Sequence, residues 1–272
     1  MAYKVITIDG DGTLLNSDLS ISPENKKAIA YAREKGARVL LCSGRSYMTL
    51  REFAREVGLQ KGDVVICFNG ALIIDGGTDE TLFSSQISAQ KANEVLDLLK
   101  PIKTEKADFL IYTDSYSALV ERESADVKAY QEISKVNVTV VPNLQSAVSD
   151  LGEIVKILIL GERDVLPAMA KAAESAGIVG LSSFFSSETL YEFISEDCSK
   201  GTGLAYAAKR YGADMAETIA IGDQANDISM IKAAGVGVAM KNATDEAKAA
   251  ADYVTEHDNN HAGVAEAIYK FV

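Results

Sequence analysis

Val5-Ile6-Thr7-Ile8-Asp9-Gly10-Asp11-Gly12-Thr13 passes from a run of apolar and β-branched residues to acids and glycines within a single step. A continuous apolar run this short is too brief for a helix. It is also too uniform for a half-exposed strand, and it fits a parallel strand covered on both faces. The acids that follow, Asp9 and Asp11, bracket a glycine, so a turn at the strand end can aim both carboxylates at one ligand. Two acids in one site repel and shift each other's pKa, which calls for a cation or a division of roles. Alone, Asp-Gly-Asp-Gly is most often only a turn. Its weight depends on what the rest of the chain brings to it.

Working outward, comparable runs recur at Val39–Cys42, Val64–Phe68, Thr218–Ile221 and Val236–Met240, with a weaker one at Tyr253–Val254. Helical patterns lie at Pro23–Lys35, Tyr47–Val57, Gly203–Tyr211 and Asp227–Ala234, and the Ala-rich stretch Asn242–Ala251 is a good helix former. Ser22 suits an N-cap with Pro23 at the first helical position. Gly36, Gly58, Gly212 and Gly235 follow helix ends, where a left-handed residue is wanted. Strands alternating with helices predict an open α/β sheet.

From about Phe83 to Leu190 the pattern is more broken. Strand candidates fall at Phe109–Tyr112, Val138–Val141 and Val155–Leu160, with Tyr191–Ile194 near the exit, and helices at Ala89–Leu99, Ala125–Ile133 and Asp164–Ala176. The expected organisation is a core domain from residues 1–82 and 191–272 with an inserted α/β domain at 83–190. Linkers near Gly76-Gly77 or just after it on entry, and near Ser186–Thr189 on exit, would then form the hinge.

In open α/β sheets ligands bind beyond the carboxyl ends of the strands. There the chain places Asp9 to Thr13, then Ser43-Gly44-Arg45, then Asn69-Gly70-Ala71, and finally Gly222, Asp223, Asn226 and Asp227. Each group alone has an ordinary loop or capping explanation. Their convergence after separate strands predicts one oxygen-rich site. Such a site suits Mg²⁺, which takes a few carboxylates, waters and a substrate phosphate, whereas zinc would want His or Cys. The only histidines, His257 and His261, lie near the C-terminus and argue against histidine-based catalysis.

Composition narrows the class. With 47% hydrophobic and 24% charged residues the chain reads as a globular protein, and at 272 residues it can bury a full core without staples. A formal charge of −12 argues against nucleic acid, which is held mainly by Lys and Arg. It also requires local positive groups or a cation to draw in an anionic substrate. Cys42, Cys67 and Cys198 show no disulfide or zinc spacing, and two of them lie in apolar runs where inert buried thiols are usual. The N-terminus, Met1-Ala2-Tyr3-Lys4, leads straight into the first strand without a signal-type stretch. No apolar run approaches the roughly 20 residues that span a bilayer. The expectation is a cytoplasmic protein without a membrane partner, its oligomeric state open and a monomer admissible.

Asp9-Gly10-Asp11-Gly12-Thr13-Leu14-Leu15 resembles the first motif of haloacid dehalogenase-type phosphatases. Ser43 matches the second, Lys200 the third, and Gly222-Asp223-Gln224-Ala225-Asn226-Asp227 the fourth. Asn69-Gly70-Ala71, the insert, and Gly237-Val238-Ala239-Met240 with Asn242-Ala243 resemble the Cof-like subfamily. The resemblance covers 1–82 and 191–272, while the insert matches only in place and general pattern. It implies a Rossmann-like, mostly parallel sheet with an inserted α/β cap domain that sets specificity. It also implies Mg²⁺-dependent hydrolysis of small phosphate monoesters, such as sugar or cofactor-type phosphates, through an aspartyl phosphate. Asp9 would be the nucleophile and Asp11 the acid and base. Gly10, Ser43, Gly44, Lys200 and Asn226 would hold the phosphoryl oxygens. Asp9, Asp11 through its carbonyl oxygen, Asp223 and Asp227 would serve the metal. The partner implied is a small phosphorylated metabolite. A phosphomutase or phosphotransferase, or a non-catalytic phospholigand-binding protein on the same fold, is the alternative. Two positions depart from the family pattern: Gly10, usually a larger apolar residue, and Ala262, often Asp.

Overall fold

The computed structural model describes residues 3–114 and 116–272. In chain order the first part gives β1 (Val5–Asp9), α1 (Pro23–Glu34), β2 (Arg38–Cys42), α2 (Tyr47–Glu56) and β3 (Val64–Cys67). β4 (Leu72–Asp75) and β5 (Thr81–Ser84) follow. The expected start of α1 is observed, since the Ser22 side chain accepts from the Asn25 N–H and Pro23 occupies the first turn. Gly36, Gly58 and Gly212 are left-handed as expected. Gly235 is not. A side chain there would drive into the Ala216 carbonyl, so close approach of the backbone is what demands glycine.

The middle of the chain forms β6 (Ile87–Ser88), α3 (Ala89–Leu99), β7 (Ala107–Tyr112), β8 (Ser117–Val120), α4 (Ala125–Ser134) and β9 (Asn137–Val140). It continues through α5 (Leu144–Leu151), β10 (Glu153–Ile154), β11 (Lys156–Gly161), α6 (Leu166–Ala176), β12 (Leu181–Ser187) and β13 (Leu190–Ser195). The last part returns with α7 (Lys200–Arg210), β14 (Thr218–Gly222), α8 (Ile228–Ala233), β15 (Val236–Ala239), α9 (Asp245–Ala250), β16 (Tyr253–Val254) and α10 (Gly263–Phe271).

Two compact units result. The first comprises the residues up to Arg45, Leu50–Phe83 and Ser199–Val272, and the second comprises Ser46–Thr49 with Ser84–Cys198. The sheet of the first unit has the order β16-β15-β14-β1-β2-β3-β4-β5. All pairs from β16 to β3 are parallel, and β4 turns back antiparallel on β3. β1 is therefore central, which explains why Val5, Ile6, Thr7 and Ile8 are all fully buried. The fold is the α/β, mostly parallel sheet that the alternating pattern predicts, with an inserted α/β unit.

The insert forms a sheet with the order β12-β13-β11-β7-β8-β9 and a two-stranded β10-β6 ribbon. One face of the larger sheet carries Phe109, Ile111, Ile157, Ile159, Tyr191 and Phe193, which share a core with Leu96 of α3, Val148 of α5 and Met169 of α6. The expected exit at residue 190 moves to Cys198. β13 pairs antiparallel with both β11 and β12, and its alternating side chains complete the core of the insert. The hinge expected at Ser186–Thr189 is instead the connection between β12 and β13 inside the second unit. Gly76-Gly77 lies within the first unit, in a turn where the Asp75 carboxylate accepts from the Gly77 N–H. Among the described residues no helix is long and apolar enough to cross a membrane.

Candidate active site

The ends of β1, β2, β3 and β14 and the start of α7 meet at the carboxyl end of the parallel strands of the first unit. Asp9 is the last residue of β1, and the chain turns at once, with the Leu14 N–H bonding the Asp9 carbonyl and the Leu15 N–H the Gly10 carbonyl. This turn needs Gly12. Its φ is +73°, and a Cβ there would lie 2.4 Å from a carboxylate oxygen of Asp223. Thr13 completes the junction by donating to Asp223 Oδ1 at 2.7 Å.

Lys200 opens α7, whose N-cap Ser199 forms a reciprocal capping box with Thr202. A cation in the first turn opposes the helix dipole, so helix stability does not explain its presence. Its ammonium donates to Asp9 Oδ1 and to Asp227 Oδ1, both at 2.5 Å, and is only 1% exposed. The second oxygen of Asp227 accepts the backbone N–H groups of Asp223 and Gln224, each at 2.9 Å. Asp227 thus ties the turn after β14 to the lysine.

Carboxylate oxygens of Asp9, Asp223 and Asp227 lie within 4.8 Å of one another, and all three residues are buried. Burial holds the Asp9 carboxyl well above the ordinary range, with the charge of Asp227 adding to it and Lys200 opposing. Asp223 is pushed up to about 6, chiefly by burial and then by Asp227, against the hydrogen bond from Thr13. Burial would lower the ammonium of Lys200, but Asp227 and Asp9 outweigh it and keep the lysine charged. With all three carboxylates ionised, the one ammonium would leave two negative charges uncompensated in a buried place, and the raised pKa values of Asp9 and Asp223 register that cost. Hard oxygen donors with that excess fit a small divalent cation, Mg²⁺ above all.

Asp11 takes a different course. Its carboxylate is half-exposed, lies outside the three-aspartate cluster, and is gripped by Arg45 through Nε and Nη2, both at 2.6 Å. Ser43 is buried after β2, and its hydroxyl accepts the Arg45 N–H at 3.2 Å. A Cβ added to Gly10 would stand 3.5 Å from the Ser43 hydroxyl, in ordinary contact, so the missing side chain leaves no clash to relieve. Gly44 lies against the side chain of Asn69, and Asn226 Nδ2 donates to Asn69 Oδ1 at 3.0 Å. The sequence-derived residues thus occupy one end of the sheet: Asp9, Asp223, Asp227 and Lys200 in direct contact, Gly10 beside Ser43, and Gly44 and Asn226 joined through Asn69.

Sequence reasoning assigned no role to Arg45, Thr13 or Asn242. Arg45 was visible two residues beyond Ser43, but nothing linear says which acid it faces. Asn242 Nδ2 donates to the Gly12 carbonyl at 2.8 Å, and Asn259 Nδ2 to the Leu15 carbonyl at 2.9 Å. The loop after β15 and the last loop therefore brace the Asp9 turn together, even though Ala262 stands where the family pattern has Asp. Ala262 itself is left-handed, with φ of +59°.

The family model described as haloacid dehalogenase-like hydrolase matches residues 6–268. Among whole-length relatives, the 5-amino-6-(5-phospho-D-ribitylamino)uracil phosphatase YcsE of Bacillus subtilis is 32% identical, covering 99% of this chain and 96% of its own. The pyridoxal phosphate phosphatase YbhA of Escherichia coli is 29% identical, covering 99% and 98% respectively. A crystal structure of a haloacid dehalogenase-like hydrolase from Bacteroides thetaiotaomicron superposes with a TM-score of 0.85 at 29% identity, covering 99% of this chain and 100% of that one. A family match from the first strand to the last helix, on a sheet whose strand ends gather the acids and the lysine, means that this chain belongs to the haloacid dehalogenase-like hydrolases, in their Cof-like branch.

Proposed function

We propose that this protein is a cytoplasmic, Mg²⁺-dependent phosphatase that hydrolyses small phosphate monoesters through a phospho-aspartate at Asp9. One observation carries the reading. Asp9, at the end of the central strand, is held by Lys200 at 2.5 Å beside Asp223 and Asp227, three buried acids sharing one ammonium. The full-length relatives act, by their names, on 5-amino-6-(5-phospho-D-ribitylamino)uracil and on pyridoxal phosphate, which supports a small phosphorylated metabolite as substrate.

Asp9 would attack phosphorus with one carboxylate oxygen as the bond to the leaving oxygen breaks. Asp11, protonated once it leaves its two-point contact with Arg45, would give its proton to that oxygen and then take one from the water that cleaves the aspartyl phosphate. Lys200 fixes the orientation of Asp9 and offsets charge in the acidic cluster. Ser43, Asn226 and the N–H groups of Gly10 and Gly44 would bind phosphoryl oxygens, work that is mostly positioning and charge neutralisation. Mg²⁺, held by Asp9, Asp223 and the Asp11 carbonyl oxygen with Asp227 nearby, would neutralise the phosphate charge. The inserted unit would act as the cap that selects the leaving group.

The test is a phosphate-release screen with Mg²⁺ over sugar phosphates, flavin mononucleotide, pyridoxal phosphate and ribitylaminouracil phosphate, run beside Asp9→Asn. Release by the wild type and none by the variant, with its fold intact, is expected. A variant that turns over at the wild-type rate would rule out the covalent step.

A further inference from the structure

The turn from β3 into β4 holds a polar group that the proposed mechanism does not use. Phe68 and Asn69 are both left-handed there, with φ of 49° and 55°, a conformation that non-glycine residues seldom adopt and that clusters at functional sites. The Asn69 N–H bonds the Ser43 carbonyl at 3.0 Å, and the Phe68 N–H bonds the Arg45 carbonyl at 3.2 Å, so the turn is fastened to the Ser43–Arg45 loop at both residues. The Asn69 side chain is only 3% exposed. Its Oδ1 is occupied by Asn226 Nδ2 at 3.0 Å, while its own Nδ2 is buried and has no hydrogen-bond partner. The amide group as a whole lies against Gly44: a Cβ added to the glycine would come within 3.2 Å of Nδ2 and 3.3 Å of Oδ1.

A buried donor left unmade is unfavourable, and native proteins rarely keep one without a use. Here the amide lies between Gly44 and Asn226, two of the groups read above as phosphoryl-binding, and its oxygen is taken by Asn226, which leaves the nitrogen to donate elsewhere. An N–H group so placed favours an anionic oxygen. We propose that Asn69 is a further phosphoryl-binding residue, whose Nδ2 donates to a non-bridging oxygen of the phosphate beside the N–H of Gly44. The strained turn serves to deliver that donor. This assignment rests on the phosphatase reading above and adds a residue to it.

The test compares wild type, Asn69→Gly and Asn69→Asp. Glycine keeps the left-handed backbone without strain and removes the donor. Aspartate keeps the shape and puts a negative oxygen where the donor was. Each is assayed with p-nitrophenyl phosphate in Mg²⁺ and with orthovanadate as inhibitor. Asn69→Gly should bind vanadate roughly 10–100-fold more weakly and lose kcat/KM in proportion. Asn69→Asp should be worse than glycine, and the Mg²⁺ concentration for half-activation should stay put in both. If a substitution unfolds the protein, wild type labelled with ¹⁵N-asparagine gives the answer directly, since the Asn69 side-chain amide signal should shift on adding inorganic phosphate with Mg²⁺. An inactive wild type would overturn the phosphatase reading itself. An active wild type, with vanadate inhibition within about twofold across the series or an Asn69 amide unmoved by phosphate, would overturn the role of Asn69 alone.

Discussion

Asp9 and Asp11 are separated by one residue, yet their surroundings are opposite: one is buried against an ammonium, the other half-exposed against a guanidinium. The two-point grip of Arg45 on Asp11 fixes the plane of that carboxyl, which a single contact could not do. Arg45→Ala should therefore lower kcat by about 10-fold or more on alkyl phosphates, the scale of a disturbed general acid. It should do less with p-nitrophenyl phosphate, whose leaving group needs little protonation, and Arg45→Lys should restore only part because lysine lacks the fork. Equal losses on both substrates in steady-state assays would separate Arg45 from the acid step. The acids are legible in the sequence because they follow separate strands and their chemistry admits few residue types, whereas Lys200 stands out only through the family resemblance. Arg45 and Thr13 were not, since an arginine or threonine after a strand is ordinary until its partner across the fold is known.

Strands covered on both faces read easily as unbroken apolar runs, and β1, β2 and β14 lie within a residue of their expected bounds. β12 escaped notice because it is an edge strand with the sequence Leu-Ser-Ser-Phe-Phe-Ser-Ser, largely exposed and without alternation. α5, only eight residues long, was hidden by its serines and glutamine. β13 reads as a strand, but its pairing with β11 and β12 puts it in the second unit, and pairing partners are not written in a linear pattern. The second sheet also carries a buried ion pair that sequence could not reveal: Lys156 to Glu192 at 3.1 Å, with Ser186 donating to the other glutamate oxygen. Removing one member strands the other charge in a buried place, so Lys156→Met should destabilise the protein by about 3–5 kcal/mol. Lys156→Met with Glu192→Leu should recover most of that loss. Urea melts of the three proteins measure it, and a double variant no more stable than the single would mean that the pair is not what Lys156 supplies.

At the scale of the molecule, a chain of formal charge −12 gathers three acids and one lysine at its site, and Mg²⁺ is expected to relieve that imbalance. Chelation should abolish phosphate release and lower the melting temperature, and added Mg²⁺ should restore both. Saturation at a hundredfold excess over Kd corresponds to about 2.7 kcal/mol. Full activity after exhaustive chelation would exclude the metal role. The second unit should be dispensable for chemistry and needed for choice. Joining Phe83 to Ser199 by a short glycine-serine linker should leave a folded first unit that still cleaves p-nitrophenyl phosphate but no longer ranks natural esters as the whole chain does. An unchanged ranking would move specificity into the strand-end loops.

β1, the strand that carries Asp9, has β2 on one side and β14 on the other, and β14 begins only at Thr218. During synthesis at about 5–20 residues per second, one edge of the central strand therefore waits roughly 10–40 s for its neighbour to leave the ribosome. Meanwhile it presents unpaired N–H and C=O groups on an apolar ribbon, the kind of surface that recruits other strands. Lys200 and Asp227 arrive just as late, so a nascent chain holds its nucleophile without a counter-charge until the insert has been made. A prematurely terminated product would be both inert and sticky, and trigger factors or holdases that bind apolar nascent segments should meet this chain at its first strand.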